Sequence, residues 1–397
     1  MRFGRFYRRG LRSAQLMLWR QLQQYGYIQI ALGAAYVVIV IRQLGGLEGL
    51  ELKMFDRQMR HYATEVGLPE VVVVGINEAD IRHYNNWPLS DDTVAELLER
   101  LQTYKPAAIG LDIYRDIDHP PGRERLVTQL AMENVYGVYD VGLDPTRNSP
   151  APQGMDPERI GFADFVADTD GVIRRNFMFA SIAPDDFYAL GLRLSLHVLR
   201  NRYGPDIFEK NLEGLTIAGT LFPPLASNTG GYHNADMGGY QVMLQYQTNN
   251  DAIGQVSLTD VLNGEIDPSW FKNKVVLIGT VAPSIKDTFF TPLNAETNSA
   301  ATTPGVLVHA QAVSQILSVV AGDYGLIWGW SQWQETLWIG AWCFIGGVLT
   351  WHIQRFVLLT LSSAIALFIL ISTGWLLFLY GGWIPIVPAV LGFASVV

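Results

Sequence analysis

Residues 71–113 read VVVVGINEADIRHYNNWPLSDDTVAELLERLQTYKPAAIGLDI, and the fold class follows from this stretch. Residues 71–76 and 107–113 are short, continuous apolar runs. Between them, residues 90–104 bring Val94, Leu97, Leu98 and Leu101 to one side of a helix. Ser90 is placed to cap that helix, Asp91 and Asp92 fall in its first turn where carboxylates suit the dipole, and Pro106 ends it. Strands without alternating polar positions are buried on both faces, and a crossover helix makes them parallel neighbours. Further strands are predicted over 135–141, 176–181, 241–246 and 274–279 (KVVLIG), and helices over 47–62, 123–133, 187–201 and 309–319. Stretches rich in Pro, Gly and Asn at 143–157, 222–239 and 294–304 are loops. The centre is therefore an α/β domain with a mostly parallel, covered sheet.

Outward from this centre the composition changes. Of the 397 residues 49% are hydrophobic and only 16% charged, against roughly 25% charged in a soluble domain, which points to a membrane protein. The one cysteine, Cys343, excludes an internal disulfide and a cysteine-rich metal site. Charge is segregated: residues 1–42 carry seven Arg and no acid, whereas 45–334 carry 20 Lys and Arg against 36 Asp and Glu. The apolar segment 25–43 is expected to span a bilayer, with the basic residues 1–24 held in the cytoplasm and the following domain, 44–326, sent outward. A cleaved signal peptide is the alternative, but no small-x-small site follows Ile41.

Two more spans are expected at 333–352 and 356–380, joined at Arg355, with Trp328, Trp330, Trp333, Trp351 and Trp383 at headgroup level. Residues 383–397 read as a fourth, truncated span, since 15 residues reach roughly 22 Å of about 30 Å of hydrocarbon. This suggests a longer polypeptide with a cytoplasmic remainder; a short tilted or interfacial helix is the other reading.

No phosphate loop, GxGxxG, GxSxG, HExxH or kinase signature occurs. The polar residues cluster after predicted strands, where open α/β sheets place their ligand crevices. Asn77, Glu78 and Asp80 follow the first strand, Asp112, Asp116 and Asp118 end or follow the second, and Thr280 and Asp287 follow KVVLIG. Asp112, Asp116 and Asp118 could hold a hard cation, although such acids more often serve turns and helix caps. Asp168-Thr169-Asp170-Gly171 lacks the later Glu of a calcium loop and reads as a tight turn, with Arg174 and Arg175 available for salt bridges. His309 either lines a site or plays an uncharged packing or capping role.

Four blocks carry a resemblance: VVVVGINEADIRHYNNWPLSDDTVAELLERLQTYKPAAIGLDIYRD, GFADFVADTDGVIRR, KNKVVLIGTVAPSIKDTFFTPL and PGVLVHAQAVSQIL. Together with the order helix, domain, three helices, they resemble the type-two CHASE domain, the cyclase/histidine-kinase-associated sensory extracellular module. Asn77 departs from the Asp common there, and the segment after Trp87-Pro88 lacks a second Trp-Pro and an Arg. The resemblance implies an extracytoplasmic sensor whose last helix leads to a cytoplasmic output domain, a nucleotide cyclase first or a histidine or serine/threonine kinase, and it implies a homodimer.

The expected partners are the lipid bilayer, a second copy and an unidentified extracytoplasmic ligand; no nucleic acid, cofactor or metal is expected. Asn77, Asp80, Asp112, Thr280 and Asp287 are the expected ligand-binding residues, followed by Trp87 and Asp170. The helix over 309–319 is the expected lever. The rival readings are an extracytoplasmic enzyme and a membrane-anchored envelope binding or assembly module.

Overall fold

A computed structural model of the chain describes residues 26–63, 68–140, 149–182, 185–294 and 302–397; the basic segment 1–24 and part of the loops expected at 143–157 and 294–304 lie outside the described residues. The chain divides into two units, one of residues 56–226 and 236–327, the other of 1–55, 227–235 and 328–397.

In the first unit six strands form one sheet, all parallel, in the order Gln255–Ser257, Val71–Ile76, Val275–Thr280, Ala108–Asp112, Val135–Tyr139, Ile160–Phe162. The two most apolar runs, VVVVGI and VVLIGT, are central neighbours in register from Val71 opposite Val275 to Ile76 opposite Thr280. Alternation along the strands divides their side chains between two cores. Val71, Val73, Ala108, Val275 and Leu277 join the helices Leu190–Tyr203 and Gly305–Ala321 on one face. Val72, Val74, Ile76, Ile109, Leu111, Val276 and Ile278 join the helices Asp91–Thr103, Arg123–Leu130 and Leu258–Asn263 on the other. The result is a sheet covered by helices on both faces, as the uninterrupted apolar runs require. Ser90 caps its helix by accepting from the Thr93 amide.

The strands expected at 176–181 and 241–246 exist but do not extend this sheet. Arg175–Ile182 lies antiparallel between Tyr240–Met243 and Asp185–Tyr188 in a separate three-stranded sheet. Only two residues separate Ile182 from Asp185, a hairpin length that permits antiparallel pairing alone, since a parallel neighbour needs a crossover of a dozen or more residues. A further antiparallel meander, Phe208–Asn211, Gly214–Ile217 and Thr220–Phe222, carries no clear sequence signal.

The second unit is helical. Gly26–Gln43 and Phe356–Leu379 are long and apolar enough to cross a membrane, by length and composition; they are two such helices among the described residues, where four were expected. Gln332–His352 has 21 residues, but Gln332, Gln334 and Glu335 make its first turn polar. The expected fourth span, 383–397, contains a helix only over Ile386–Ala394, nine residues or roughly 14 Å. Pro385 stands at its start, and Gly382–Trp383 is a strand paired with Trp328–Gly329. Within this unit Ala31, Ala35 and Val38 pack with Ile339, Cys343 and Val396, while Trp342 packs with Leu370, Ile386 and Phe393. Arg42 reaches Glu335 at 2.5 Å and the Gly230 carbonyl at 2.8 Å.

Candidate functional site

At the carboxyl ends of the central strands the sheet opens into a cavity of about 620 Å³. The end of an open parallel sheet is where βα loops leave a crevice. Pleating decides which residues enter it. Ile109 and Leu111 face one core, so Asp112 points to the opposite side, toward the Gly305–Ala321 helix. That helix can come close because Gly279 has no side chain: a Cβ there would stand 2.7 Å from Val306 and 3.3 Å from an Asp112 oxygen. His309, one turn into the helix, thereby meets Asp112, with Nε2 3.7 Å from Oδ1.

Asp287 arrives from the loop after the Val275–Thr280 strand. Its carbonyl accepts from the Gly305 amide at 3.1 Å, next to the two-residue pairing of Thr288–Phe289 with Thr303–Pro304. Its carboxyl lies at the N-terminal end of the helix, and a Cβ on Gly305 would be 3.0 Å from both oxygens. Trp87, Phe165 and Phe289 supply the apolar walls, and Tyr114, Asp164 and Lys286 also line the space. Phe165 packs on the His309 ring at 4.4 Å between centroids.

The electrostatics follow from burial. The side chains of Asp112 and His309 are 8% and 4% exposed. Burial raises the Asp112 carboxyl to about 7 and lowers the His309 imidazole to about 4, so the imidazole is neutral near pH 7. Asp287 rises to about 6, through burial and then the neighbouring Asp112 charge, with His309 acting in the opposite direction. Tyr114 is raised as well, first by burial and then by Asp164, Asp140, Asp112 and Asp287. Arg115 also lines the cavity, but its guanidinium donates to the Leu89 carbonyl at 2.7 Å and to Asp91 at 3.4 Å. Asp91, expected as a first-turn dipole partner, is thus the buried anchor of this arginine.

Of the seven expected binding residues, Trp87, Asp112, Thr280 and Asp287 line this cavity; Asn77, Asp80 and Asp170 are placed elsewhere. Asn77 caps the short helix Glu78–Tyr84, accepting from the amides of Ala79 and Asp80, and Asp80 returns the bond to the Asn77 amide in a capping box. The other Asp80 oxygen accepts from the Thr259 amide and hydroxyl, which ties the two helices at that edge. Asp170 belongs to the tight turn at Gly171 and to a buried ion cluster: Arg174, 0% exposed, binds Asp56, Asp168 and Asp170 at 2.7, 2.7 and 2.8 Å. Asp118 pairs with Arg123 at 2.9 Å, and no cluster of three or more metal-ligating side chains occurs among the described residues. Asp164, Phe165 and Phe289 also reach the cavity. The block GFADFVADTDGVIRR did contain the first two, but nothing in its periodicity marks them.

A family model described as the CHASE2 domain matches residues 33–348 of the chain. No curated protein and no solved structure matches it.

Proposed function

The chain belongs to the CHASE2 domain family, extracellular sensory domains of signalling receptors, and from that premise we propose that it is the input half of a transmembrane receptor. The α/β unit, outside the cell membrane, binds a small ligand in the cavity between Asp112, Asp287 and His309, and the helices carry the response to a cytoplasmic output domain, a nucleotide cyclase or a kinase. The N-terminus lies inside, the chain works as a homodimer, and Gly26–Gln43, Gln332–His352 and Phe356–Leu379 form a multi-pass anchor whose second helix has a polar outer end.

One observation carries this reading. A buried His309 faces the cavity from the Gly305–Ala321 helix, and ten residues after that helix the chain enters Gln332–His352. A ligand that favours one position of His309 therefore acts on an element continuous in sequence with the membrane anchor. Only differential affinity for two arrangements can shift such an equilibrium.

Orientation and response are tested with single cysteines, since Cys343 is buried. In intact cells Leu212→Cys, at a fully exposed position, should react with a membrane-impermeant maleimide, and Phe356→Cys, at the joint before Phe356–Leu379, should react only after lysis. Reaction of Leu212→Cys only after lysis would refute the outward domain. In the receptor reading a saturating ligand also changes the labelling rate of Phe356→Cys in opened membranes.

A further inference from the structure

The cavity at the sheet's carboxyl end contains more acceptors than donors. Asp112 is nine-tenths buried and directed into it, and its carboxyl accepts no hydrogen bond from the described residues; the nearest cationisable group, His309, is 3.7 Å away. His309 is buried beside it with Nε2 toward Asp112, and a neutral imidazole offers one donor and one acceptor nitrogen. Asp287 is a second carboxyl within the field of the first.

The cations that line the space do not answer this charge. Arg115 is committed to Leu89 and Asp91, and Lys286 stands exposed at the rim. Buried acceptors without a donor are satisfied when something brings donors in. A bare metal ion is a poor match, because hard cations take six or more oxygen ligands and no metal-holding group is formed among the described residues. Trp87, Phe165 and Phe289 form the remaining walls, and aromatic faces suit an organic cation with an apolar body.

We propose that this cavity binds a small organic cation, a protonated primary amine or amidine, whose N–H donors are shared by Asp112 and Asp287 beside His309 while its apolar body lies against Trp87, Phe165 and Phe289. The inference rests on the reading of the cavity as the sensory site and adds the chemical class of what is sensed.

The test uses the full chain in lipid nanodiscs, with thermal stabilisation and calorimetric titration as readouts. The probes are 2-phenylethylamine, tryptamine and agmatine; 2-phenylethanol and 3-phenylpropionate serve as neutral and anionic counterparts, and Ca²⁺ and Mg²⁺ are tested alone. At least one amine should bind saturably and at least tenfold more tightly than either counterpart. Asp112→Asn and Asp287→Asn should each weaken it at least tenfold while retaining a cooperative melt without ligand. Binding should also tighten from pH 5.5 to 8 as the two carboxyls ionise, with Tyr114, Arg115, Asp164, Lys286 and His309 as the other titratable groups facing the site.

No binding by any amine, equal binding of the alcohol or the acid, stabilisation by the metal ions alone, or amine binding that survives the double Asn variant would each overturn the proposal. Amine binding that leaves the labelling rate of Phe356→Cys unchanged would support the proposal and sink the receptor reading. A change in that rate caused by 2-phenylethanol or 3-phenylpropionate but by no amine would do the reverse.

Discussion

Asp112 holds an ionisable group where an amide of the same shape would be more stable near neutral pH. Burial lifts its carboxyl from the ordinary 3.8 to about 7, so the folded chain retains a proton that the unfolded chain gives up. Stability from this residue is complete at low pH and is lost as pH rises through about 7. Three units correspond to an upper figure of about 4 kcal/mol. Asp112→Asn should therefore melt above the native chain at pH 8 by as much as that amount, and the two curves should converge toward pH 4. The imidazole of His309, lowered to about 4, gives the opposite slope between about 4 and its ordinary 6.5, so the comparison is cleanest above pH 6.5. Equal melting temperatures at pH 8 would show that the carboxyl is not buried in this way. Arg174 presents the reverse case, a buried charge with too many partners to lose. Arg174→Met should destabilise by about 3–5 kcal/mol, because Asp56 would be left buried without the guanidinium that binds both its oxygens, whereas Asp168 keeps Arg175 at 2.8 Å, read as a fall in the thermal midpoint. Place after the strands selected Asp112, Thr280 and Asp287, which line the cavity; Trp87, named after them, lines it too. The same rule also selected Asn77 and Asp80, which cap a helix instead, since a strand-end Asn or Asp serves a cap as readily as a ligand.

The Gly305–Ala321 helix is buried on all sides from Gly305 to Val319, and three of its polar residues bond to one neighbouring segment. Gln311 accepts from the Gln247 amide and donates to the Thr248 carbonyl, Ser314 donates to Gln247, and Gln315 donates to the Met243 carbonyl. Its contact with the sheet depends on Gly279. A Cβ there would meet Val306 at 2.7 Å, and neither a central strand nor a buried helix can yield locally. Gly279→Ala should thus destabilise by about 1–3 kcal/mol and, by pushing His309 from Asp112, weaken ligand binding. Adding Val306→Ala should recover part of both, a coupling that two independent sites would not show. Runs such as VVVVGI and VVLIGT were legible because burial on both faces leaves an uninterrupted apolar signature. The edge strand Gln255–Ser257 was not, being three residues with one apolar side chain. The pairing of Arg175–Ile182 with Tyr240–Met243 was equally hidden, because partner choice between distant strands leaves no local mark.

At the scale of the whole chain, the proposed orientation is expected to follow from charge at one end. An outward domain with 36 acids against 20 bases over residues 45–334 looks like the determinant, but long domains cross a membrane largely regardless of their charge, and acids contribute little to topology. By the positive-inside rule the expected signal is the basic flank of the first apolar helix. Six arginines, Arg2, Arg5, Arg8, Arg9, Arg12 and Arg20, precede Gly26–Gln43, with Arg42 at its far end and Lys53, Arg57 and Arg60 next after it. Arg42 is already committed to Glu335 and the Gly230 carbonyl. Replacing the six with Gln would leave Arg42, followed by Lys53, Arg57 and Arg60, as the nearby basic residues and reverse the bias across the helix. Leu212→Cys labelling by the impermeant maleimide in intact cells should then fall at least about twofold, with the lost fraction recovered on lysis. Restoring three of the six should recover most of the outward population, because the rule counts positive residues near the helix and not their exact positions. Unchanged labelling in the all-Gln chain would mean that the hairpin of Gln332–His352 and Phe356–Leu379, with Arg355 at its joint, sets the orientation. In that case Arg355→Glu in the all-Gln background should produce the fall that the six substitutions did not.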